Sequence, residues 1–376
     1  MIDMKKTLIT LALSTASLAA VADVTLYGSV KGGVEYNKAD RSDKATSVIS
    51  DWGSYIGFKG EEDLGSGLKA IWQIEQSVSL GGGSNAGHWA TRDSFIGLAG
   101  SFGTLRAGYL SDTFKSMGKL DPWTGNGIRT LESFSRYGSR YTGVRYDSPN
   151  WSGLSLNVLY SPKDNQSSDG KDALSKDVLA VGLGYENYGW FFNYGYKNVR
   201  GAANAIGRDG RLNGEVHGLD IGYDNGTLFA GLGYRDSRNL NSKDSASLKD
   251  SLESVGISCD ALCSNWGSSQ GAITFAYNLG NIVPRISYAY GEEKERHVKD
   301  PSKNKYSQAI VGVDYNLSKR TAVLASLGYW SNKPKSWVEI RDQVTDVARD
   351  EDSKKYKRDE ERQESYSFGL GLRHKF

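Results

Sequence analysis

Apolar and polar residues alternate along most of this 376-residue chain, and that alternation limits its possible folds more than any other feature. In 24–36 the even positions hold Val, Leu, Tyr and Gly, whereas the odd positions are mainly polar or small and include Lys31 and Glu35. The final segment, 366–376, repeats the pattern. A period of two is that of a β-strand whose two faces meet different surroundings. The sequence therefore predicts an all-β fold.

Sixteen segments carry this pattern, each close to or a little under the roughly 9–11 residues that a tilted membrane strand needs. They are 24–36, 55–61, 68–78, 93–99, 104–110, 143–148, 154–160, 178–186, 190–197, 216–223, 227–235, 271–279, 282–290, 306–315, 321–330 and 366–376. Seven short connections rich in Gly, Asn, Asp and Ser alternate with eight long polar loops. The loops are 37–54, 79–92, 111–142, 161–177, 198–215, 236–270, 291–305 and 331–365. This layout is typical of a bacterial outer-membrane barrel.

The charged face of the strands distinguishes a membrane barrel from a soluble one. A soluble barrel keeps its apolar face inside, but burying this many charges in a dry core would cost several kcal/mol each. The charged positions are Lys31, Lys59, Arg106, Arg145, Asp220, Arg285, Asp314 and Arg373. They can line water while the apolar face meets lipid, and a closed ring satisfies every backbone donor. We therefore predict a sixteen-stranded antiparallel transmembrane β-barrel with short periplasmic turns and long extracellular loops.

The first 22 residues have the three parts of a secretory signal peptide. Lys5 and Lys6 precede an apolar run from Leu8 to Ala20, and Ala20-Val21-Ala22 supplies a small-residue cleavage site. The run is shorter than the roughly 20 residues that a membrane-spanning helix needs. We expect 1–22 to be a signal peptide and 23–376 to form the barrel.

Composition and isolated motifs give little support to other functions. A formal net charge of +2 does not indicate a nucleic-acid-binding protein, and four His leave little room for a histidine-rich metal site. The G-x-S-x-G match at 267–271 leads into an alternating strand rather than a helix, so it lacks the context of a hydrolase nucleophile. We predict no catalytic residue, no metal site and no cofactor.

The only two cysteines, Cys259 and Cys263, lie in the long loop 236–270. In an oxidising exported setting, two loop cysteines so close together favour a local disulfide. A metal site would need two further ligands that the neighbouring residues do not obviously offer. The sequence leaves open whether the two are bonded.

Several segments resemble Gram-negative general porins of the neisserial type. They are Asp23–Gly28, Gly57–Ala70, Phe95–Leu98, Phe102–Gly108, Val144–Pro149 and the terminal strand ending in Phe376. The resemblance covers nearly the whole mature chain, although loops 236–270 and 331–365 depart from the pattern. It implies a homotrimer of water-filled barrels among outer-membrane lipids, each narrowed by its third long loop. It also implies that the barrel-assembly machinery reads the final Phe376.

The third long loop, about 111–142, is accordingly the predicted constriction of a pore for passive diffusion of ions and small hydrophilic solutes. The expected site pairs loop acids with inward cations across the bore: Asp112, Asp121 and Glu132 against Lys31, Lys59, Arg106, Arg145 and Arg285. Because the inward cations outnumber the acids, we predict weak anion selectivity. The alternative is a substrate-selective outer-membrane channel, which spacing alone does not exclude.

Overall fold

The computed structural model describes residues 24–39, 45–81, 89–162, 177–204, 211–239, 266–295, 303–333 and 363–376. They form one antiparallel sheet of seventeen strand segments, numbered β1 to β17 in chain order. The segments are Thr25–Ala39, Thr46–Asp51, Ser54–Gly65, Leu68–Val78, Ser94–Gly100, Gly103–Ser111, Arg140–Asp147, Leu154–Ser161, Val178–Asn187, Trp190–Asn204, Arg211–Asp224, Leu228–Arg238, Trp266–Tyr277, Ile282–Glu295, Lys303–Asn316, Thr321–Lys333 and Gln363–Lys375.

The sheet closes on itself through β1. One edge of β1 pairs with β17, and the other pairs with β2 near the long loops and with β3 near the short turns. Thus β2 and β3 are two parts of one interrupted strand, and the barrel has sixteen strand positions. Backbone hydrogen bonds from Gly28 N to Phe376 O (3.1 Å) and from Phe376 N to Gly28 O (3.2 Å) complete the seam. The predicted sixteen-stranded antiparallel barrel is confirmed.

The seven short connections were located correctly from the sequence, whereas several strands extend further than predicted. Ser66-Gly67 and Tyr188-Gly189 both have two positive φ angles, as the mirror-image turns of two-residue hairpins require. Much of the predicted loops 198–215 and 291–305 is strand instead. Beyond the lipid both faces of a strand meet water, so the alternation fades there and the sequence signal is lost.

Side-chain burial separates the two faces of the barrel as the alternation predicts. Outward positions such as Ile96 and Leu372 are exposed, while the inward Arg145, Asp220 and Asp314 are buried. The apolar surface therefore lies outside, where lipid covers it, and the charges lie inside. Among the described residues, no helix is long and apolar enough to cross a membrane.

Residues 112–139, the lumen loop, fold inward instead of extending from the barrel. Two short helices, Thr113–Ser116 and Glu132–Ser135, and two 3-10 turns, Gly118–Leu120 and Gly127–Arg129, shape the loop. An ideal Cβ built on the inward Gly218 would lie 2.5 Å from a ring carbon of Phe114, which places the loop inside the barrel. The loop covers a dry apolar core formed by Leu120, Leu131, Phe134, Ala272, Ala289 and Ile310. Part of the lumen is therefore packed rather than wet.

Some of the sequence predictions fall outside the described residues. These are the signal peptide at 1–22, the pair Cys259 and Cys263, and most of the loops 161–177, 236–270 and 331–365.

Candidate functional site

The first end of the lumen loop is fixed to the wall by a buried ion pair. The Nζ atom of Lys197 on β10 lies 2.8 Å from Asp112 Oδ2, and both side chains are almost inaccessible to solvent. Asp112 also caps the helix Thr113–Ser116 by accepting a hydrogen bond from the Lys115 backbone (2.9 Å). Lys197 donates further to the Tyr137 carbonyl, so one wall cation ties both ends of the loop together.

The middle of the lumen loop is attached to the wall by neutral hydrogen bonds. Trp123 Nε1 donates to Ser287 Oγ at 2.8 Å, and the Thr274 hydroxyl donates to the Leu120 carbonyl at 2.7 Å. The Gln308 amide donates to the carbonyl of Thr130 at 2.6 Å. Because these partners lie on β13, β14 and β15, the loop follows the wall around a large arc of the barrel.

The far turn of the lumen loop is held by Arg129, which is inaccessible to solvent. Its guanidinium pairs with Glu35 on β1 and lies 4.9 Å from the centre of the Trp52 ring. Arg129 also donates to Ser367 Oγ (3.1 Å) and Ser326 Oγ (3.3 Å). Sequence reasoning missed Arg129 because its partners are remote in the chain.

Arg106 and Arg145 are cross-strand neighbours on β6 and β7, and they share one carboxylate. Asp147 pairs with Arg106 and lies 2.7 Å from Arg145. Arg145 also donates to the Ser111 carbonyl at 2.6 Å and to Ser116 Oγ at 2.9 Å. The two predicted constriction arginines are therefore brought together, and Arg145 supports the start of the lumen loop.

The part of the barrel wall that the lumen loop leaves open, here called the open wall, carries Arg106 and Arg145. It also carries two further arginines that the sequence analysis overlooked. Arg92 pairs with Glu75, and Arg140 pairs with Asp93. Burial alone would raise the pKa of Asp93, but hydrogen bonds from Ser111 and Arg140 outweigh it and hold that pKa below its usual value. Both arginines lie in segments that the alternation assigned to long loops, 79–92 and 111–142, where it gives no inward direction.

Three lysines of the site lie in no ion pair within the described part of the chain: Lys31, Lys59 and Lys115. Lys59 is exposed, with Nζ 5.5 Å from the centre of the Tyr27 ring. Lys115 is exposed on the lumen loop. Partial desolvation lowers the pKa of Lys115, and repulsion from Arg140 and Arg92 lowers it further. These ammonium groups are the least compensated positive charges of the site.

The predicted loop acids do not oppose these cations in the way the sequence suggested. Asp112 is buried against Lys197, and Asp121 accepts hydrogen bonds from Leu131 N (3.2 Å) and Ser135 Oγ (2.8 Å) within the loop itself. The Glu132 side chain lies outside the described residues. Of the predicted cations, Arg285 lies behind the loop, 2.9 Å from Asp314 and 3.4 Å from the Pro122 carbonyl.

The described residues offer no group of three or more His, Cys, Asp or Glu that could hold a metal ion. The charges and the shape of the site determine which solutes can pass it. A folded loop narrows the lumen, and lysines and arginines line the wall that the loop leaves open. Such an arrangement selects solutes by size and charge.

Comparisons with known proteins agree with this geometry. The family model described as Gram-negative porin matches residues 20–376. A major outer membrane protein P.IB from Neisseria lactamica is 40% identical over 341 residues, covering 87% of this chain and 93% of that protein. A major outer membrane protein P.IA from Neisseria meningitidis serogroup C is 38% identical over 388 residues, covering 87% and 94% respectively.

Solved structures share the fold at lower sequence identity. An anion-selective porin from Comamonas acidovorans has a TM-score of 0.68 at 19% identity, covering 94% of this chain and all of that chain. The trimer form of OmpT from Vibrio cholerae has a TM-score of 0.63 at 14% identity, with 95% of this chain covered. The family match and the neisserial relatives decide the assignment. This chain belongs to the Gram-negative porins and is an outer-membrane channel for passive diffusion of ions and small hydrophilic solutes.

Proposed function

We propose that this porin is weakly anion-selective and that Lys31, Lys59 and Lys115, which form no ion pair in the described part of the chain, produce the preference. The observation that carries the proposal is that the described loop acids are engaged elsewhere, Asp112 by Lys197 and Asp121 by its own loop. The arginines of the open wall are each paired with a carboxylate and contribute less net charge. Selectivity then depends on a few ammonium groups facing a narrow water column.

The predicted constriction arginines contribute less to this ion preference than the three lysines do. Arg106 and Arg145 remain on the open wall, but Asp147 compensates part of their charge. The anion-selective porin from Comamonas acidovorans shares the fold, which is compatible with such selectivity. We assign no catalytic step to the chain.

The test reverses two lysine charges together in Lys59→Glu/Lys115→Glu. A unit charge acting across about 8 Å of water and salt is worth a few tenths of a kcal/mol, and reversal doubles its effect. We expect the chloride-to-potassium permeability ratio to fall about two- to fivefold for the pair. Reversal potentials of purified protein in planar bilayers measure this ratio.

The matched control is Lys319→Glu/Arg320→Glu, which makes the same total charge change in an exposed short turn. It should leave the reversal potential almost unchanged. If Lys59→Glu/Lys115→Glu and the control shift the potential equally, the selectivity does not arise at this site. Saturation of the current by one solute would instead favour the alternative, a substrate-selective channel.

We further propose that the chain acts as a homotrimer after loss of residues 1–22 and that Phe376 serves barrel assembly. The OmpT structure from Vibrio cholerae that shares this fold is a trimer form. The final strand ends at the barrel seam, where Phe376 bonds to Gly28. Cross-linking of the membrane-embedded protein would reveal the subunit number, and Phe376→Ala should reduce the amount of folded barrel in the outer membrane.

A further inference from the structure

We propose that Glu35 and Trp52 are positioning residues that set the bore of the channel by clamping the far turn of the lumen loop. The inference uses the channel function of the family but not the proposed ion selectivity. Between β2 and β3 the strand is interrupted, and Trp52 and Gly53 lie outside it.

The interruption turns the Trp52 ring into the lumen. Gly53 has φ of +84°, and the Asp51 carboxylate accepts hydrogen bonds from Gly53 N (2.8 Å) and Ser54 N (2.9 Å), so the turn is built into the local sequence. The ladder to β1 continues across the gap, because Trp52 N donates to the Lys31 carbonyl at 2.9 Å. The break thus costs few backbone hydrogen bonds.

One carboxylate oxygen then gathers three donors from two parts of the chain. Glu35 Oε1 accepts from Trp52 Nε1 (2.5 Å), from Asn126 Nδ2 (3.1 Å) and from the Arg129 guanidinium. Asn126 also donates to the Asp51 carbonyl at 2.9 Å. Trp52 and Glu35 belong to the wall, while Asn126 and Arg129 belong to the lumen loop. Hydrogen bonds that involve charged groups in a buried site are the strong ones.

Glycines of β16 and β17 line the opposite side of this clamp and leave no space for a Cβ atom. An ideal Cβ on Gly371 would lie 2.5 Å from the Trp52 ring, and one on Gly369 would overlap the Arg129 guanidinium. Gly328 likewise receives the Ile128 carbonyl of the far turn. The far turn is therefore enclosed by Glu35 and Trp52 on one side and by β16 and β17 on the other.

This clamp matters to the pore because the far turn is a long way along the chain from the anchor at Asp112 and Lys197. Neutral hydrogen bonds at Leu120, Trp123 and Thr130 also hold the loop, so loss of the charged clamp would weaken the attachment of the far turn and let it move away from the wall into the water column more often. A loop with two positions produces two conductance levels, and the time spent at each level is proportional to the population of that position. Glu35 and Trp52 keep one position populated.

The test is single-channel recording of Glu35→Gln, an isosteric change that removes the charge on which Arg129 depends. Gln keeps the acceptor oxygen, so the change weakens the contact with Arg129 without abolishing it. We expect transitions to sub-conductance levels to become about tenfold more frequent, the factor that about 1.4 kcal/mol gives. Partition of polyethylene glycols of graded size should show an altered size limit. Asn126→Ala, which alters only an exposed side chain of the loop, should show a smaller change in the same direction.

The charge-swapped variant Glu35→Arg/Arg129→Glu should return the recording towards the parent. Glu61→Gln is the control, since the partner that the described residues give Glu61 is the exposed Lys69 (2.6 Å) on the neighbouring strand. Heat-dependent gel mobility measures the stability of the barrel. It therefore distinguishes a variant that fails to fold from one in which only the lumen loop has moved. If Glu35→Gln and Asn126→Ala both record as quiet as Glu61→Gln, with an unchanged size limit, the clamp does not set the bore. A selectivity change alone would bear on the proposed function and not on this inference.

Discussion

At the scale of single residues, Lys115 gives the channel a charge that responds to alkaline pH. Partial desolvation together with repulsion from Arg140 and Arg92 lowers its pKa. A lowered pKa means that the positive charge is lost, as pH rises, before that of an ordinary lysine. We therefore expect the anion preference to weaken above neutral pH, before ordinary lysines lose their charge. Reversal potentials between pH 7 and 10 measure this effect. The variant Lys115→Arg should delay it, and an identical pH profile in that variant would contradict the assignment.

Asp112 and Lys197 form a buried ion pair whose disruption should be costly. Removing one partner of a buried ion pair leaves an uncompensated charge and typically costs about 3–5 kcal/mol, whereas removing both can be nearly neutral. Lys197→Met should therefore lower the temperature of barrel unfolding more than Lys197→Met/Asp112→Asn does. Heat-dependent gel mobility provides the measurement. A double variant less stable than the single one would show that the pair is not the relevant contact.

At the scale of elements, the strands could be predicted from the sequence and the path of the lumen loop could not. Alternation reports directly which face of a strand meets lipid, so all sixteen strand positions were found. The loop depends on contacts such as Arg129 with Glu35, which are 94 residues apart. Asp112 illustrates the failure: irregular backbone has no period, so a carboxylate that looked free to face the pore is the buried cap of a short helix.

Inward glycines were visible in the sequence but their role was not. Gly328 on β16 receives the Ile128 carbonyl so closely that an added Cβ would displace backbone. Gly328→Ala should therefore destabilise the barrel by about 1–3 kcal/mol and push the loop towards the lumen centre, reducing conductance. Gly118→Ala is the matched control, because a Cβ there meets nothing within 4 Å. Equal conductance in the two variants would show that the far turn does not rest on β16.

At the scale of the whole molecule, a formal net charge of +2 is too small to create a strong field, so ion preference depends on local charges in the lumen. Fields of exposed charges extend about 30 Å at 0.01 M salt, about 10 Å at 0.1 M and only about 3 Å at 1 M. The dilute range lets the lysines act across the whole water column, while 1 M salt confines each to its own surroundings. We therefore expect anion preference to decline steadily when equal-ratio potassium chloride gradients are moved from dilute to concentrated solutions. Zero-current potentials of the parent channel test this. An anion preference that stays constant over this range would mean that steric fit, and not the charge of Lys31, Lys59 and Lys115, determines the ion selectivity.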